Sequence, residues 1–148
     1  MQIHAADSAS KIVLPLYATS VQAGFPSPAE DYVEGQLDLN ELLIRRPAAT
    51  FYVRATGDSM TGAGIFPNDL LVVDRSLPAT HNAIIIAMVN GELTIKRLFS
   101  RGGETRLVSE NAAYEPIEIS GDIELWYWGV VTAAIHQFNV PVSKRRRR

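Results

Sequence analysis

A serine in a glycine-containing turn is the first residue of the chain whose type and setting could support catalysis. Ser59 follows Gly57-Asp58, directly after a predicted strand. Because glycine lets the backbone turn sharply, a serine there can present its hydroxyl outward, with nearby backbone N–H groups aimed at an incoming carbonyl oxygen. Gly, Asp and Ser are also ordinary turn residues, so the segment alone favours a structural turn.

A lysine among apolar residues is the second candidate. Lys96 lies in the predicted strand 92–99, and strand alternation places Thr94 and Leu98 on its face. Desolvation by apolar neighbours would lower the pKa of Lys96, and only a neutral amine can take a proton from a serine hydroxyl. Thr94 is expected to orient that amine by a hydrogen bond. Arg97 points to the opposite face and cannot share the site. Considered alone, Lys96 is consistent with a surface lysine whose aliphatic stem packs along the strand while its amine stays in water.

The other polar residues predict no second catalytic set. His4, His81 and His136 lack metal-binding spacing, and Asp58 would need a histidine partner to form a triad. The chain has no cysteine, which removes disulfides, thiolate metal sites and cysteine nucleophiles. It also lacks the glycine-rich motifs that bind nucleotide phosphates. We therefore expect no metal, no cofactor and no small-molecule ligand.

The elements that would position Ser59 and Lys96 are mostly strands. Asp38 and Glu41 predict the capped start of one short helix, which Pro47 ends. Asn90-Gly91 is a strong signal for a two-residue hairpin. Apolar or alternating runs predict strands at 51–55, 70–74, 83–89, 92–99, 105–109, 117–119 and 125–135. The pattern predicts a mostly β fold of compact, curved sheets with an extended N-terminal arm and one short helix.

Composition divides the chain into three parts. Residues 1–35 are rich in Ala, Ser, Pro and Gly and predict a flexible arm, residues 36–139 the β domain, and residues 140–148 a disordered basic tail. Without the five basic residues at 144–148, nine basic residues remain against 16 acidic ones, a net charge of −7. Such an acidic body repels the phosphate backbone, whereas the tail could contact nucleic acid or an acidic protein.

Hydropathy and cysteine usage bear on location. The longest apolar run, residues 83–89, is far shorter than the roughly 18 residues that span a bilayer. No basic region followed by an apolar run marks a signal peptide at the N-terminus. The absence of cysteine fits a reducing compartment. We expect a cytoplasmic protein with no membrane partner.

Five segments of the chain are specific as a set. They are Gly57-Asp58-Ser59-Met60, Asn68-Asp69-Leu70, Thr94-Ile95-Lys96-Arg97-Leu98, Gly24-Phe25-Pro26-Ser27-Pro28 and Asp38-Leu39-Asn40-Glu41-Leu42. Together they resemble the self-cleaving LexA and UmuD serine peptidase family, and within it the UmuD-like SOS mutagenesis proteins, including plasmid-borne ones. The resemblance covers roughly residues 14–138. Asn68 stands where the family often has glycine, and asparagine tolerates a left-handed turn nearly as well.

The resemblance implies a self-cleaving protein with a Ser59–Lys96 dyad, supported by Met60 and Thr94. The scissile bond is expected between Ala23 and Gly24, where UmuD has Cys-Gly and LexA-type repressors have Ala-Gly. It also implies a compact, curved β domain that forms a homodimer, with cleavage stimulated by a RecA filament on single-stranded DNA. The product beginning at Gly24 would bind a UmuC-like Y-family polymerase, as the accessory subunit of an error-prone translesion DNA polymerase similar to DNA polymerase V.

Three other functions share some of these features. A LexA-type repressor needs a DNA-binding region before the cleaved bond, and 23 residues precede that bond here. A signal peptidase also uses serine and lysine but needs a membrane anchor. A non-enzymatic dimeric binding module would carry an inert Ser59 and Lys96. Mass measurement after incubation at alkaline pH separates this last alternative from a self-cleaving protein.

Overall fold

A computed structural model describes residues 11–17 and 33–139 of the chain. These residues belong to two compact units with a boundary after Pro47, and each unit is described by itself. The predicted cleavage site Ala23-Gly24, His4 and the basic tail lie outside the described residues.

The first unit contains a two-stranded antiparallel sheet and the short helix. Strand β1 (Val13–Tyr17) pairs with β2 (Val33–Asp38), and α1 (Leu39–Leu43) follows directly. As predicted, Asp38 caps α1: its carboxylate accepts a hydrogen bond from the Asn40 N–H at 3.0 Å. The helix ends at Leu43, earlier than the end predicted at Pro47, and the Ile44 N–H donates to the Asn40 carbonyl there.

The second unit is a seven-stranded antiparallel sheet, which confirms the prediction of a mostly β fold. Its strand order is β3-β4-β9-β5-β6-β7-β8, so strands distant in sequence lie side by side. Among the described residues, no helix is long and apolar enough to cross a membrane. The strands are β3 (Thr50–Arg54), β4 (Leu70–Asp74), β5 (Ile84–Val89), β6 (Glu92–Arg101), β7 (Glu104–Val108), β8 (Ile117–Glu118) and β9 (Leu125–Ile135).

Two clusters of buried side chains stabilise this sheet, one on each side of β5. Ile86 belongs to the first cluster, whereas Ile85 and Ala87 belong to the second. Because successive side chains alternate, β5 is buried on both faces, which explains its continuous apolar sequence. The other buried members are Ala55, Met60, Ile65, Leu71 and Val73 in the first cluster, and Leu98 and Leu107 in the second.

The predicted hairpin joins β5 to β6. Asn90 and Gly91 both have positive φ, 49° and 87°, as a tight hairpin turn of this kind requires. The resulting register places Lys96 opposite Ile85. Asn68, at the turn before β4, has a φ of 75°, which confirms that asparagine takes the left-handed conformation there.

Strand β6 is paired on both sides over only part of its length. It pairs with β5 along Glu92–Arg97, but with β7 only along Arg97–Arg101. Within the described parts of the chain, the other edge of residues 92–96 therefore has no partner strand. This open edge lies beside the lysine of the candidate site.

Candidate active site

The serine lies in a turn that the hydrophobic core holds in place. Strand β3 ends at Arg54, and Gly57, with a φ of 78°, reverses the chain just before Ser59. Met60 is 3% exposed and packs in the first core cluster. Its carbonyl accepts hydrogen bonds from the N–H groups of Ala63 and Ile65. The turn is thus anchored immediately after Ser59, while Ser59 itself stays partly exposed.

The lysine reaches this serine from β6. Lys96 Nζ donates a hydrogen bond to Ser59 Oγ across 3.2 Å, although 37 residues separate the two in sequence. Lys96 is only 8% exposed. That burial lowers the pKa of Lys96 below the ordinary lysine value. When the amine is neutral, the same contact can reverse, with the hydroxyl donating to nitrogen.

A cleft of about 310 Å³ opens onto the two side chains. Met60 and Thr94, the residues predicted to support the site, both line it. The expected hydrogen bond between Thr94 and Lys96 is not among those of the described residues; the lysine amine bonds to Ser59 instead. Besides Met60, the aliphatic part of the lining, which limits hydration of the amine, consists of Val53, Ala55, Ile65, Ile86, Leu93 and Ile95.

The segment that follows β7, residues 110–114, was not predicted from the sequence to contribute to the site; we term it the brace. Its Glu110 N–H donates to the Ser59 carbonyl at 2.9 Å. Tyr114 donates its hydroxyl to Asp58 Oδ1 at 2.5 Å, and this bond to the carboxylate raises the pKa of Tyr114. The Tyr114 ring centre lies 5.6 Å from Lys96 Nζ. Asp58 is therefore a partner of the brace and not of a histidine.

The brace also contacts the strand that carries the lysine. The Arg97 guanidinium forms an ion pair with the Glu110 carboxylate, and the Gly62 N–H donates to the Glu110 carbonyl at 2.7 Å. A Cβ on Gly62 would lie 2.5 Å from that carbonyl oxygen, so a side chain at this position forces a shift. Glu110 thus connects the serine turn to β6. Arg97 does not line the cleft, as its predicted face implied.

The described histidines lie outside the cleft. His136 Nδ1 is 2.6 Å from Oδ1 of the buried Asp69, whose Oδ2 accepts from the Phe66 N–H at 2.9 Å. Burial acts to raise the pKa of Asp69, but the bonds from Phe66 and His136 outweigh it, and the pKa is lowered. His81 accepts a hydrogen bond from the Ser100 N–H. Both histidines therefore have structural contacts.

The chain is similar to a known protein family and to several named proteins. The model of the Peptidase S24-like family matches residues 15–132. Protein ImpA of Salmonella typhimurium is 47% identical over 131 residues, covering 84% of this chain and 85% of ImpA. Protein MucA of Escherichia coli is 41% identical over 123 residues, covering 82% and 84% of the two chains.

A third relative is a longer protein, of which this chain matches only half. The LexA repressor of Shewanella piezotolerans is 38% identical over 106 residues, which cover 72% of this chain but 50% of the repressor. The similarity to ImpA and MucA, in contrast, runs along most of both partners. The predicted resemblance is confirmed: the chain belongs to the Peptidase S24-like family of LexA- and UmuD-type serine peptidases, as a UmuD-like member.

Proposed function

We propose that this protein cuts its own chain between Ala23 and Gly24, with Ser59 as nucleophile and Lys96 as general base. The observation that carries the proposal is the 3.2 Å contact between Ser59 Oγ and the Nζ of a buried lysine. A serine hydroxyl is a weak nucleophile until an adjacent base takes its proton. Burial lowers the pKa of Lys96 and so increases the fraction of amine able to do this.

The chemistry follows from these two groups. Neutral Lys96 takes the Ser59 proton while Oγ bonds to the carbonyl carbon of Ala23, whose oxygen becomes negatively charged. Backbone N–H groups around Ser59 stabilise this charge. The intermediate collapses as the Ala23–Gly24 bond breaks, and Lys96 returns its proton to the leaving amine of Gly24. Neutral Lys96 then takes a proton from water, which attacks the ester carbonyl. As the bond to Ser59 Oγ breaks, Lys96 returns that proton to Oγ and the carboxyl group of Ala23 is released.

The open edge of β6 gives the cleaved segment a place to bind. Residues 92–96 lack a partner strand on one side within the described chain, and Leu93 to Lys96 also line the cleft. An extended peptide adds readily to such an edge through main-chain hydrogen bonds. Val21, Gln22 and Ala23 would bind in this way, and Gly24 would let the bond approach Ser59 closely.

The biological role rests on the family. We assign the protein to the SOS response, where a RecA filament on single-stranded DNA would favour the docked position of the arm, residues 1–35. This is a shift in population and adds no catalytic group. The trimmed homodimer, beginning at Gly24, would act in the cytoplasm as the accessory subunit of an error-prone translesion polymerase. Its partner would be a UmuC-like Y-family polymerase. Similarity to ImpA and MucA along most of their length supports this role over that of a repressor.

Intact-mass measurement of the purified full chain tests the catalytic proposal. On incubation at alkaline pH we expect two fragments whose masses correspond to residues 1–23 and 24–148. Ser59→Ala removes only the hydroxyl from a partly exposed residue, so this variant should stay folded and uncut. Cleavage of Ser59→Ala at the wild-type rate would exclude the dyad. A wild-type chain that stays intact at every pH, with and without RecA filaments, would identify a non-enzymatic binding module instead.

A further inference from the structure

The brace holds the backbone on the N-terminal side of Ser59 through one side-chain amide. Asn111 Nδ2 donates to the carbonyl oxygen of Asp58 at 2.9 Å. The Asn111 side chain is itself fixed, because its Oδ1 accepts a hydrogen bond from the Ala113 N–H at 2.9 Å. Asn111 is partly buried, and both of these bonds lie at the surface of the turn. The Asp58 carbonyl is therefore drawn toward the brace.

The Asp58 carbonyl and the Ser59 N–H belong to the same peptide group. The described chain has no cis peptide, and in a trans peptide the C=O and N–H point in opposite directions. The bond that draws the Asp58 carbonyl toward Asn111 therefore turns the Ser59 N–H away from the brace. This N–H donates to no acceptor among the described residues, so it is available to a bound group.

The side chain of Asp58 gives the same peptide a second attachment. Its carboxylate accepts the Tyr114 hydroxyl, so both the main chain and the side chain of Asp58 are tied to the brace. Rotation of the Asp58–Ser59 peptide would break the bond to Asn111 and strain the one to Tyr114. The Asp58 carbonyl also accepts a longer bond from the Thr61 N–H, at 3.4 Å. Together these contacts favour one orientation of the peptide plane before any substrate binds.

We propose that Asn111 is a positioning residue for self-cleavage, which sets the Ser59 N–H as a donor to the developing oxyanion. This inference rests on the proposed function, since it requires Ser59 to be the nucleophile. As Oγ bonds to the Ala23 carbonyl carbon, the electron pair of the C=O double bond moves onto oxygen. A preoriented N–H stabilises that charge without having to reorganise. Asn111 contacts neither the substrate nor the reacting atoms and acts only through the peptide.

The test variant is Asn111→Asp, with Asn90→Asp as its matched control. Asn111→Asp keeps an oxygen for the Ala113 N–H but replaces the donor that faces the Asp58 carbonyl with an acceptor. Asn90 also accepts a backbone bond, from the Glu124 N–H at 3.1 Å, and lies outside the cleft. Removing one oxyanion donor lowers turnover by about 10²- to 10³-fold in serine peptidases. We expect self-cleavage to slow about 100-fold in Asn111→Asp and to be normal in Asn90→Asp.

A pair of peptide inhibitors separates positioning from general damage to the fold. A peptide of residues 18–23 ending in an aldehyde forms a tetrahedral adduct with Ser59 and needs the oxyanion donor, whereas the same peptide ending in an amide does not. Both are measured as inhibitors of self-cleavage in the full chain. In Asn111→Asp the aldehyde should lose about 100-fold in potency while the amide keeps its potency. An equal loss for both peptides, or a cleavage rate within threefold of wild type, overturns the inference.

Further variants keep the test decisive. Tyr114→Phe removes one hydroxyl and should give the same pattern with a smaller loss, about tenfold. If Asn111→Asp fails to fold by circular dichroism, Asn111→Ser removes the amide donor without adding charge and takes the same measurements. Loss of cleavage in Ser59→Ala together with normal cleavage and inhibition in the Asn111 variant would reject this inference alone. Normal cleavage in Ser59→Ala would instead reject the proposed function.

Discussion

The pH dependence of self-cleavage is the most direct consequence of a buried lysine base. A lysine at its ordinary pKa of about 10.5 is neutral in about one molecule in 3000 at pH 7. Each unit by which burial lowers that pKa increases the neutral fraction tenfold, until the amine is mostly neutral. Below the pKa of Lys96, the cleavage rate should therefore rise about tenfold for each pH unit, and it should level off at a pH below 10.5.

Replacing the base tests the same reasoning. Lys96→Met retains most of the buried aliphatic stem but has no amine, so it should slow cleavage by at least about 10² to 10⁴-fold, the usual contribution of a general base. Lys11→Met is the matched control because Lys11 is exposed in the first unit. It should cleave at the wild-type rate with the wild-type pH profile.

The assay is the first-order disappearance of intact chain, followed by mass spectrometry between pH 6 and pH 11 in one buffer series. Circular dichroism at each pH verifies that the protein stays folded. A rate that is flat across this range in folded wild-type protein would refute a lysine base. So would a pH-dependent rate in Lys96→Met that matches the wild type, since the titrating group would then lie elsewhere.

Three predictions concern stability, each measured by urea unfolding of purified protein. Lys96→Met should stabilise the fold at pH 7, because the lysine of the unfolded chain binds a proton more readily than buried Lys96 does. The gain in the free energy of unfolding is about 1.4 kcal/mol for each unit of pKa difference between the two states, and it should shrink as the pH rises toward 10.5. Gly62→Ala should cost about 1 to 3 kcal/mol by overpacking against Glu110, whereas Gly121→Ala, which meets open space, should be nearly neutral. Asp69→Asn should cost about 1 to 3 kcal/mol at pH 7. This deficit should shrink as the pH falls below about 4, because the aspartate of the unfolded wild-type chain then gains a proton more readily than folded Asp69, whose pKa is lowered.

The strands could be predicted because their signals are local. Apolar runs and alternation located all seven strands of the large sheet, and Asn90-Gly91 located the hairpin that brings Lys96 opposite Ile85. Strand β1 was not predicted because it contains Pro15, and proline, which has no N–H to donate, usually argues against a strand. The strand forms nevertheless because it belongs to a two-stranded sheet, in which proline can lie on the unpaired edge. Helix α1 was predicted too long because Pro47 is the nearest residue after it that must end a helix, whereas the helix already ends at Leu43.

The brace could not be predicted because its contacts are non-local. Asn111 and Tyr114 lie more than 50 residues from Asp58 in sequence, and no spacing rule relates them. Their polar side chains look like those of any surface turn. The resemblance to a family could point to Ser59 and Lys96 as individual residues, but it gave no account of what holds the serine turn against β6. The predicted hydrogen bond from Thr94 failed for a related reason, since side-chain alternation gives a shared face but not a contact.

Two residues around the serine turn are unfavourable for the fold when considered singly. Burial of Lys96 disfavours its charged form, and Gly62 supplies no side chain to pack because the Glu110 carbonyl occupies that space. Both lie in or beside the serine turn, in a unit whose strands are otherwise packed by apolar clusters. When residues that are unfavourable for folding stability cluster in one region, the local geometry is expected to serve a reaction rather than stability. A structural turn serine would need neither a buried amine nor a brace, so the energetics of the fold support the same assignment as the chemistry.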